Sequence, residues 1–307
     1  MIQSNVPISI IIPTYQREQV LIDTLNYLLA LPIAAAEIIV VDQTPKHEEE
    51  VAERLREWHE EEKINWLRLE KPSIPKAMNE GVLAARYDFL LFLDDDIIPE
   101  HNLINAHWQA HQEFKEVHLT MIVAGRVIQP WEEGKEIEQS HSPVFSFAAN
   151  TRTWSTIFMG GNFSINRQTI LSLKGFDESF VGAAYQFEAE FAFRLQQAKG
   201  KILFEPEACI HHLKVLGGGT RAYGNHLTSW KPEHSVGEYY YLLRTKGLPL
   251  GLGKILARPI RAIYTRHHLS KPWWIPATLI AEFRGFLWAL CLYLEEPRYI
   301  SQKGVVQ

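Results

Sequence analysis

The chain has 307 residues, of which 46% are hydrophobic and 22% charged, and its net charge is −5 at neutral pH. That size and composition allow one large globular domain or two small ones with a sizeable core. The negative balance excludes a general nucleic-acid binder, so no nucleic-acid partner is expected. Cys209 and Cys291 lie far apart without metal-ligand spacing, which excludes a disulfide framework and fits a reducing compartment.

The opening MIQSNVPISIIIP has neither a basic n-region nor a long apolar core, so no signal peptide is expected. ISIIIP (8–13) reads as a short β-branched strand, followed by a helical pattern over about 18–30. EIIVVD (37–42) is a second buried strand, then comes a charge-rich amphipathic helix over about 47–62. INWLRL (64–69) reads as a third strand, 74–86 as a helix, and YDFLLFLDDD (87–96) as a fourth strand. Strands alternating with helices define βαβ units and a mostly parallel sheet. In such sheets ligands bind outside the carboxyl ends of the strands. One edge should therefore gather Pro13-Thr14-Tyr15, Asp42-Gln43-Thr44 and Asp94-Asp95-Asp96.

The three consecutive carboxylates carry the most chemistry. Like charges this close raise one another's pKa unless a cation neutralises them. Mg²⁺ and Mn²⁺ sites combine one or two carboxylates with substrate phosphates. The run therefore points to a metal and, through it, a phosphorylated substrate. A plainer reading makes Asp96 the cap of a helix starting near Pro99.

The second half is less regular. TMIVAGRVI (120–128) reads as a strand and 129–153 as a long loop. GGNFSI (160–165) is a strand whose paired glycines suggest a close backbone or ligand approach. Residues 167–173 read as a helix, 175–200 as a glycine-rich turn and then a helix from about Phe187, and KILFEP (201–206) as a strand leading to His211 and His212.

In this order ISIIIPTYQRE, EIIVVDQT, FLLFLDDDI, GGNFSI and GFDESF…EAEFAFRL resemble the family 2 glycosyltransferases, inverting sugar transferases with the GT-A fold, over about 6–225. The resemblance implies a GT-A-type α/β domain over 1–230, with a donor-binding half to about 115 and an acceptor-binding half beyond it. It also implies a nucleotide-diphosphate sugar as donor, UDP-sugars favoured, a glycan or lipid-linked acceptor, and Mg²⁺ or Mn²⁺ as cofactor. Carried onto this sequence, Pro13, Thr14, Tyr15 and Arg17 belong to the loop against the nucleotide. Asp42 is the acid towards the nucleobase, Asp94 and Asp95 face the ribose and donor, and Asp96 is the chief metal ligand with Asp94 beside it. Gly161 and Asn162 flank the donor sugar. One of the adjacent histidines contacts metal or diphosphate, with His211 preferred, and Arg221 in LGGGTRAYGN (216–225) is a counter-charge for diphosphate. The family's usual Glu-Asp before the later helix reads Phe187-Glu188 here. Glu188 takes the general-base position and Glu190 is the runner-up, against a plain role for Glu190 as a first-turn acid.

Residues 231–307 form a helical extension. Between 239 and 294 eight Lys/Arg stand against one acid, Glu282, in a Trp- and Leu-rich background. Glu282 and Arg284 interrupt the apolar run, which suits a helix lying on an anionic membrane better than one crossing it. The expected location is cytoplasmic, and two readings of the extension stay open: peripheral contact with the inner membrane face, or a helical subdomain packed on the catalytic domain or in a dimer. Two other readings stay open: a sugar-nucleotidyltransferase, and a non-catalytic sugar-nucleotide-binding or scaffold protein.

Overall fold

The computed structural model describes residues 4–115, 120–138 and 145–300. The chain divides into two compact units, one comprising 1–72, 77–175 and 194–217, the other 73–76, 176–193 and 218–307.

The first unit is an α/β sheet flanked by helices. Its strands are β1 (Ser4–Thr14), β2 (Ile33–Asp42), β3 (Asn65–Arg68), β4 (Phe89–Leu93), β5 (Ile97–Pro99), β6 (Met121–Ile128), β7 (Thr153–Ser155), β8 (Asn162–Asn166) and β9 (Lys201–His212). They run in the order β3-β2-β1-β4-β8-β6-β9-β5, with β7 also on β9. The first four strands are mutually parallel, β8 joins β4 and β6 antiparallel, and β9 is parallel to β6. The parallel strands are continuous apolar runs because helices cover both faces: Ile8, Ile10, Ile11, Ile12, Leu91 and Phe92 are all fully buried.

Between the strands lie α1 (Gln19–Leu29), α2 (Glu49–Glu60), α3 (Ile74–Ala84), α4 (Leu103–Glu113) and α5 (Arg167–Ser172). On α1, Leu21, Leu25 and Leu28 recur at helical spacing and are buried. The same face carries Thr24, whose hydroxyl bonds the carbonyls of Asp95 and Ile97 and accepts from the Ile97 N–H at 3.1 Å. The helix thus fixes the backbone of the acidic turn. Asn166 caps α5, its side chain accepting from the N–H groups of Gln168 and Thr169.

Three features depart from the sequence reading. Asp96 caps no helix: Ile97–Pro99 form β5, an edge strand where proline is tolerated, and the next helix starts only at Leu103. Strand β9 continues through the histidine pair. Strand β7 had no counterpart in the sequence reading. Within 129–153 the described residues up to 152 form no helix or strand, and 139–144 lie outside the described residues.

Beneath α4 runs a buried polar chain. His107 Nε2 is 2.9 Å from Asn162 Oδ1, and the Asn162 amide N–H groups go to the carbonyls of Arg126 and Ala208. Since Asn162 Oδ1 can only accept, His107 carries its proton on Nε2. Its Nδ1 accepts from Ser164 Oγ at 2.8 Å, which in turn accepts from His111 Nε2 at 2.9 Å. Every member is satisfied only while both imidazoles are neutral. Burial pushes the pKa of His107 down to about 4 and that of His111 to about 3. The unfolded chain, with histidines near ~6.5, therefore takes up protons first, and this contribution to stability falls as pH drops from ~6.5 towards 4. Between pH 7 and 5, wild type should lose about 2 kcal/mol more unfolding free energy than His107→Gln. Parallel pH profiles in urea titrations would rule the effect out.

The second unit is mainly helical. Helix α6 (Phe187–Gln197) begins in it. Helix α7 (Val236–Ile263) is broken at Gly247, where φ is 67°. Helices α8 (Arg266–Ser270) and α9 (Ile275–Leu294) follow. Tyr239 of α7 meets Phe286 of α9 edge-on at 5.6 Å. Asp177 ties the unit together, accepting from Tyr240 Oη at 2.7 Å and from the N–H groups of Ser179 and Arg298. The segment Pro272–Leu294 is long and apolar enough to cross a membrane by length and composition, and 33% of its most apolar window is buried.

Candidate active site

The parallel registers bring the strand ends to one edge. Thr14 stands beside Asp42, Asp42 beside Arg68, and β4 follows on the other side of β1. The loop after β1 is held to the loop after β2: the Gln16 N–H donates to Thr44 Oγ1 at 2.9 Å, and the Gln43 N–H to the Thr14 carbonyl. Pro13 and Tyr15 are half-buried at this edge and Thr14 is buried.

The acidic run splits its three carboxylates between different environments. Asp94 is open, with its side chain 39% exposed. Asp95 turns inward to Arg17, whose Nε donates to Asp95 Oδ1 at 3.1 Å. Burial raises the Asp95 pKa to about 7 against the opposing charge of Arg17, and Asp96 adds to the rise. Asp96 is buried but well supplied with donors: His212 Nε2 at 3.1 Å, the Val215 N–H at 3.0 Å and the Arg17 guanidinium at 3.4 Å. Burial would raise its pKa, yet His212, Arg17 and the Val215 N–H together hold it below the usual carboxylate range.

Arg17 is itself buried. Besides the two aspartates it donates to the carbonyls of Val215 and Gly217, so it serves the acidic turn and the segment after β9 at once.

Asp94, Asp96 and His212 form the group that can hold a metal, their ligand atoms lying within 4.8 Å of one another. His211, the histidine the resemblance prefers, has its ring between Glu100 and Glu133, at 2.8 Å from each. Burial opposes but these carboxylates prevail, raising its pKa. His212 Nε2 faces the aspartates, and its buried Nδ1 has no hydrogen-bond partner among the described residues. Two carboxylates and one imidazole are a donor set that Mn²⁺ accepts.

Gly161 makes the open position of Asp94 possible. A Cβ there would lie 2.1 Å from Asp94 Oδ2, and the Gly161 carbonyl accepts the Asp94 N–H at 3.1 Å. Gly161→Ala should therefore displace Asp94 and weaken Mn²⁺ binding about tenfold or more. Isothermal titration with Mn²⁺ checks this, and an unchanged affinity would remove the glycine from the site. The Asn162 side chain is buried and meets His107 through Oδ1 and the carbonyls of Arg126 and Ala208 through its amide N–H groups.

Asp42 is fully buried. Its Oδ1 takes the Thr44 N–H at 2.8 Å. Its Oδ2 meets His47 Nε2 at 2.8 Å, the Trp66 indole N–H at 3.0 Å and Arg68 at 3.2 Å. Burial opposes ionisation, but His47 and the Thr44 N–H outweigh it and lower the pKa. His47 spans Asp42 and Glu18 and, despite burial, is raised towards the imidazolium form by both. His47, Trp66 and Arg68 were not singled out by the sequence. They surround Asp42, which was.

Glu188 and Glu190 occupy the first turn of α6, Glu188 half-buried and Glu190 buried. The glycine run after β9 takes positive φ throughout, 81°, 64° and 50° at Gly217, Gly218 and Gly219. Arg221 follows in a short 3₁₀ turn, and its side chain lies outside the described residues.

A mostly parallel sheet that gathers an acidic metal-type cluster and a buried acid at its strand ends has the layout in which α/β domains bind ligands. The family model of glycosyl transferase family 2 matches residues 9–173, more than half the chain, and the chain belongs to that family. No curated protein matches it by sequence. Among solved structures, GalNAc-T7 with UDP, GalNAc and Mn²⁺ is similar, with TM-score 0.55 and 17% identity over 76% of this chain and 50% of that one. S. aureus TarS is similar with TM-score 0.55 and 14% identity over 84% of this chain and 44% of that one. TarS 1–349 in complex with UDP-GlcNAc is similar with TM-score 0.55 and 16% identity over 88% of this chain and 79% of that one. These likenesses establish the GT-A glycosyltransferase fold. The chain spans about half the length of the first two proteins.

Proposed function

We propose that the protein transfers a sugar from a nucleotide-diphosphate sugar to an acceptor hydroxyl with inversion, and that Asp94, Asp96 and His212 hold a divalent metal during the reaction. The observation that carries this reading is the cluster of these three side chains at the strand edge of a family 2 chain. A bound Mn²⁺ or Mg²⁺ supplies charge neutralisation for the leaving diphosphate. The protein's own part is to keep Asp96 ionised through Arg17 and the Val215 N–H, and to leave Asp94 open to solvent.

A UDP-sugar is the favoured donor, since UDP and UDP-GlcNAc appear in the structures of similar fold. Asp42 stands on the nucleobase side. With three donors on Oδ2 and one on Oδ1, a pyrimidine N–H reaches it only after Trp66 or Arg68 moves. A charge-stabilised Arg68 over the Trp66 ring, 5.2 Å from its centroid, is the mobile edge of that subsite.

Glu188 is the proposed general base. Its carboxylate takes the acceptor proton as the hydroxyl attacks the face opposite the leaving group. Glu188→Gln keeps shape and removes the base, and should lower turnover of a UDP-sugar with Mn²⁺ by about 10²–10⁴-fold with little change in donor affinity. Full activity in this variant moves the base to Glu190. Nucleotide-sugar binding without transfer or hydrolysis by wild type leaves only the binding-protein reading. The acceptor is a glycan or a lipid-linked sugar. Contact with a membrane through residues 239–294 follows from the outward Leu252, Leu256 and Ile260 of α7 and Phe283 and Leu287 of α9, all exposed.

A further inference from the structure

The second unit contains a cavity of about 190 Å³ between α7, α9 and the segment before α7. Its volume is below the ~300 Å³ at which pockets for drug-sized ligands begin, so it suits a small head group. The lining is cationic. Lys231, Arg258 and Arg261 reach it, with His226 and His234 beside them and Glu282 as the single acid.

That acid is already spent. Glu282 accepts from Tyr239 Oη at 2.9 Å and pairs with the Arg258 guanidinium at 3.4 Å. The Arg258 side chain is not thereby satisfied, because its buried Nε has no hydrogen-bond partner among the described residues. Lys231 and Arg261 make no ion pair among the described residues, and both are exposed at the cavity rim. Two positive charges and an unspent guanidinium N–H thus converge where the one carboxylate has been neutralised. Burial, and after it the neighbouring Arg258, lower the pKa of His226.

We propose that this cavity binds a phosphate-class anion, held by Lys231, Arg258 and Arg261. Charge-assisted hydrogen bonds to phosphate oxygens are the strong ones, and the guanidinium fork fits them. The anion can be a free phosphate or diphosphate, or the phosphomonoester head of a lipid, since the same α7 carries Leu252, Leu256 and Ile260 exposed. The site is separate from the Asp94–Asp96–His212 cluster, and its existence does not depend on sugar transfer.

The test uses the full chain in EDTA without nucleotide, so that no anion is retained through a metal. Inorganic phosphate and diphosphate are titrated calorimetrically. Phosphatidylcholine vesicles with phosphatidic acid are compared with vesicles holding the same fraction of phosphatidylglycerol, which has similar charge but a diester head. Wild type is expected to bind phosphate or diphosphate saturably at one site. Lys231→Gln/Arg261→Gln should weaken that binding at least tenfold with an unchanged melting temperature. A preference for phosphatidic acid that the double variant loses assigns the anion to a lipid, and phosphate binding without that preference assigns it to a soluble source. Equal binding by variant and wild type, or no saturable binding by wild type, overturns the proposal. Arg258→Lys keeps the charge beside Glu282 and serves as the folded second variant, expected to bind more weakly through loss of the fork.

Discussion

Asp94→Asn is expected to lower Mn²⁺-supported turnover by about 10²–10³-fold, the equivalent of about 3–4 kcal/mol of lost charge stabilisation. Asp94 is the cleanest member of the cluster to test. Its side chain is 39% exposed, against 2% for Asp96, and it is outside the pairing with Arg17, which engages Asp95 and Asp96. Asparagine is nearly isosteric, so the melting temperature without metal should stay within about 2 °C of wild type, as for most exposed substitutions. Two measurements decide it: turnover of a UDP-sugar against Mn²⁺ concentration, and the thermal shift that Mn²⁺ produces. If activity survives at saturating Mn²⁺ with an unshifted midpoint, the metal is held elsewhere or is not used.

Much of this site was readable as a pattern of strand ends. Apolar β-branched runs interrupted by helical periodicity gave the four parallel strands, and parallel topology alone put Thr14, Asp42 and Asp94 on one edge. The choice between His211 and His212 was not readable. Neighbours on a strand point to opposite faces, so the pair needs a register before either can be assigned. That register comes from β5, which sets Ile97 opposite His212 and Ile98 opposite His211, placing His212 next to Asp96. A three-residue strand ending in proline gives too short a signal to separate from a helix start.

The glycines were ambiguous in a similar way. Gly160-Gly161 before Asn162 suggested a close backbone or ligand approach. In the fold, Gly161 leaves room for Asp94, and Gly125, whose Cβ would lie 2.2 Å from Asn162 Nδ2, leaves room for Asn162. The glycines accommodate the protein's own side chains. The partners of Asp42 were unreadable because Trp66 and Arg68 lie on β3, as an aromatic and a cation in a half-buried strand with an ordinary packing explanation. Only the Asp42–Arg68 register turns them into its hydrogen-bond donors.

Arg17→Met should be the most destabilising substitution in the first unit, by about 3–5 kcal/mol, because it removes one partner from a buried charge group and leaves the other uncompensated. The side chains of Arg17, Asp95 and Asp96 are 5%, 8% and 2% exposed, so water cannot replace the guanidinium. Asp96 keeps His212 and the Val215 N–H. Asp95 has no such reserve of positive charge, and its pKa already stands at about 7 with Arg17 present. Without Arg17 that value rises further, and Asp95 escapes the cost of burial by taking up a proton. A carboxyl whose folded pKa lies above its unfolded value binds the proton more tightly when folded, so stability is gained as pH falls. The deficit of Arg17→Met relative to wild type should therefore be largest near pH 8 and shrink towards pH 6. Urea unfolding followed at both pH values measures it. A deficit that does not change with pH would mean that Asp95 remains charged without Arg17, and that the pairing contributes less than its burial implies. Arg17→Lys separates charge from shape. A point charge restores one ion pair, but it lacks the fork that reaches both aspartates and the carbonyls of Val215 and Gly217. Its stability should fall between wild type and Arg17→Met, and its Mn²⁺ affinity below wild type, because the segment that presents the Val215 N–H to Asp96 is no longer held.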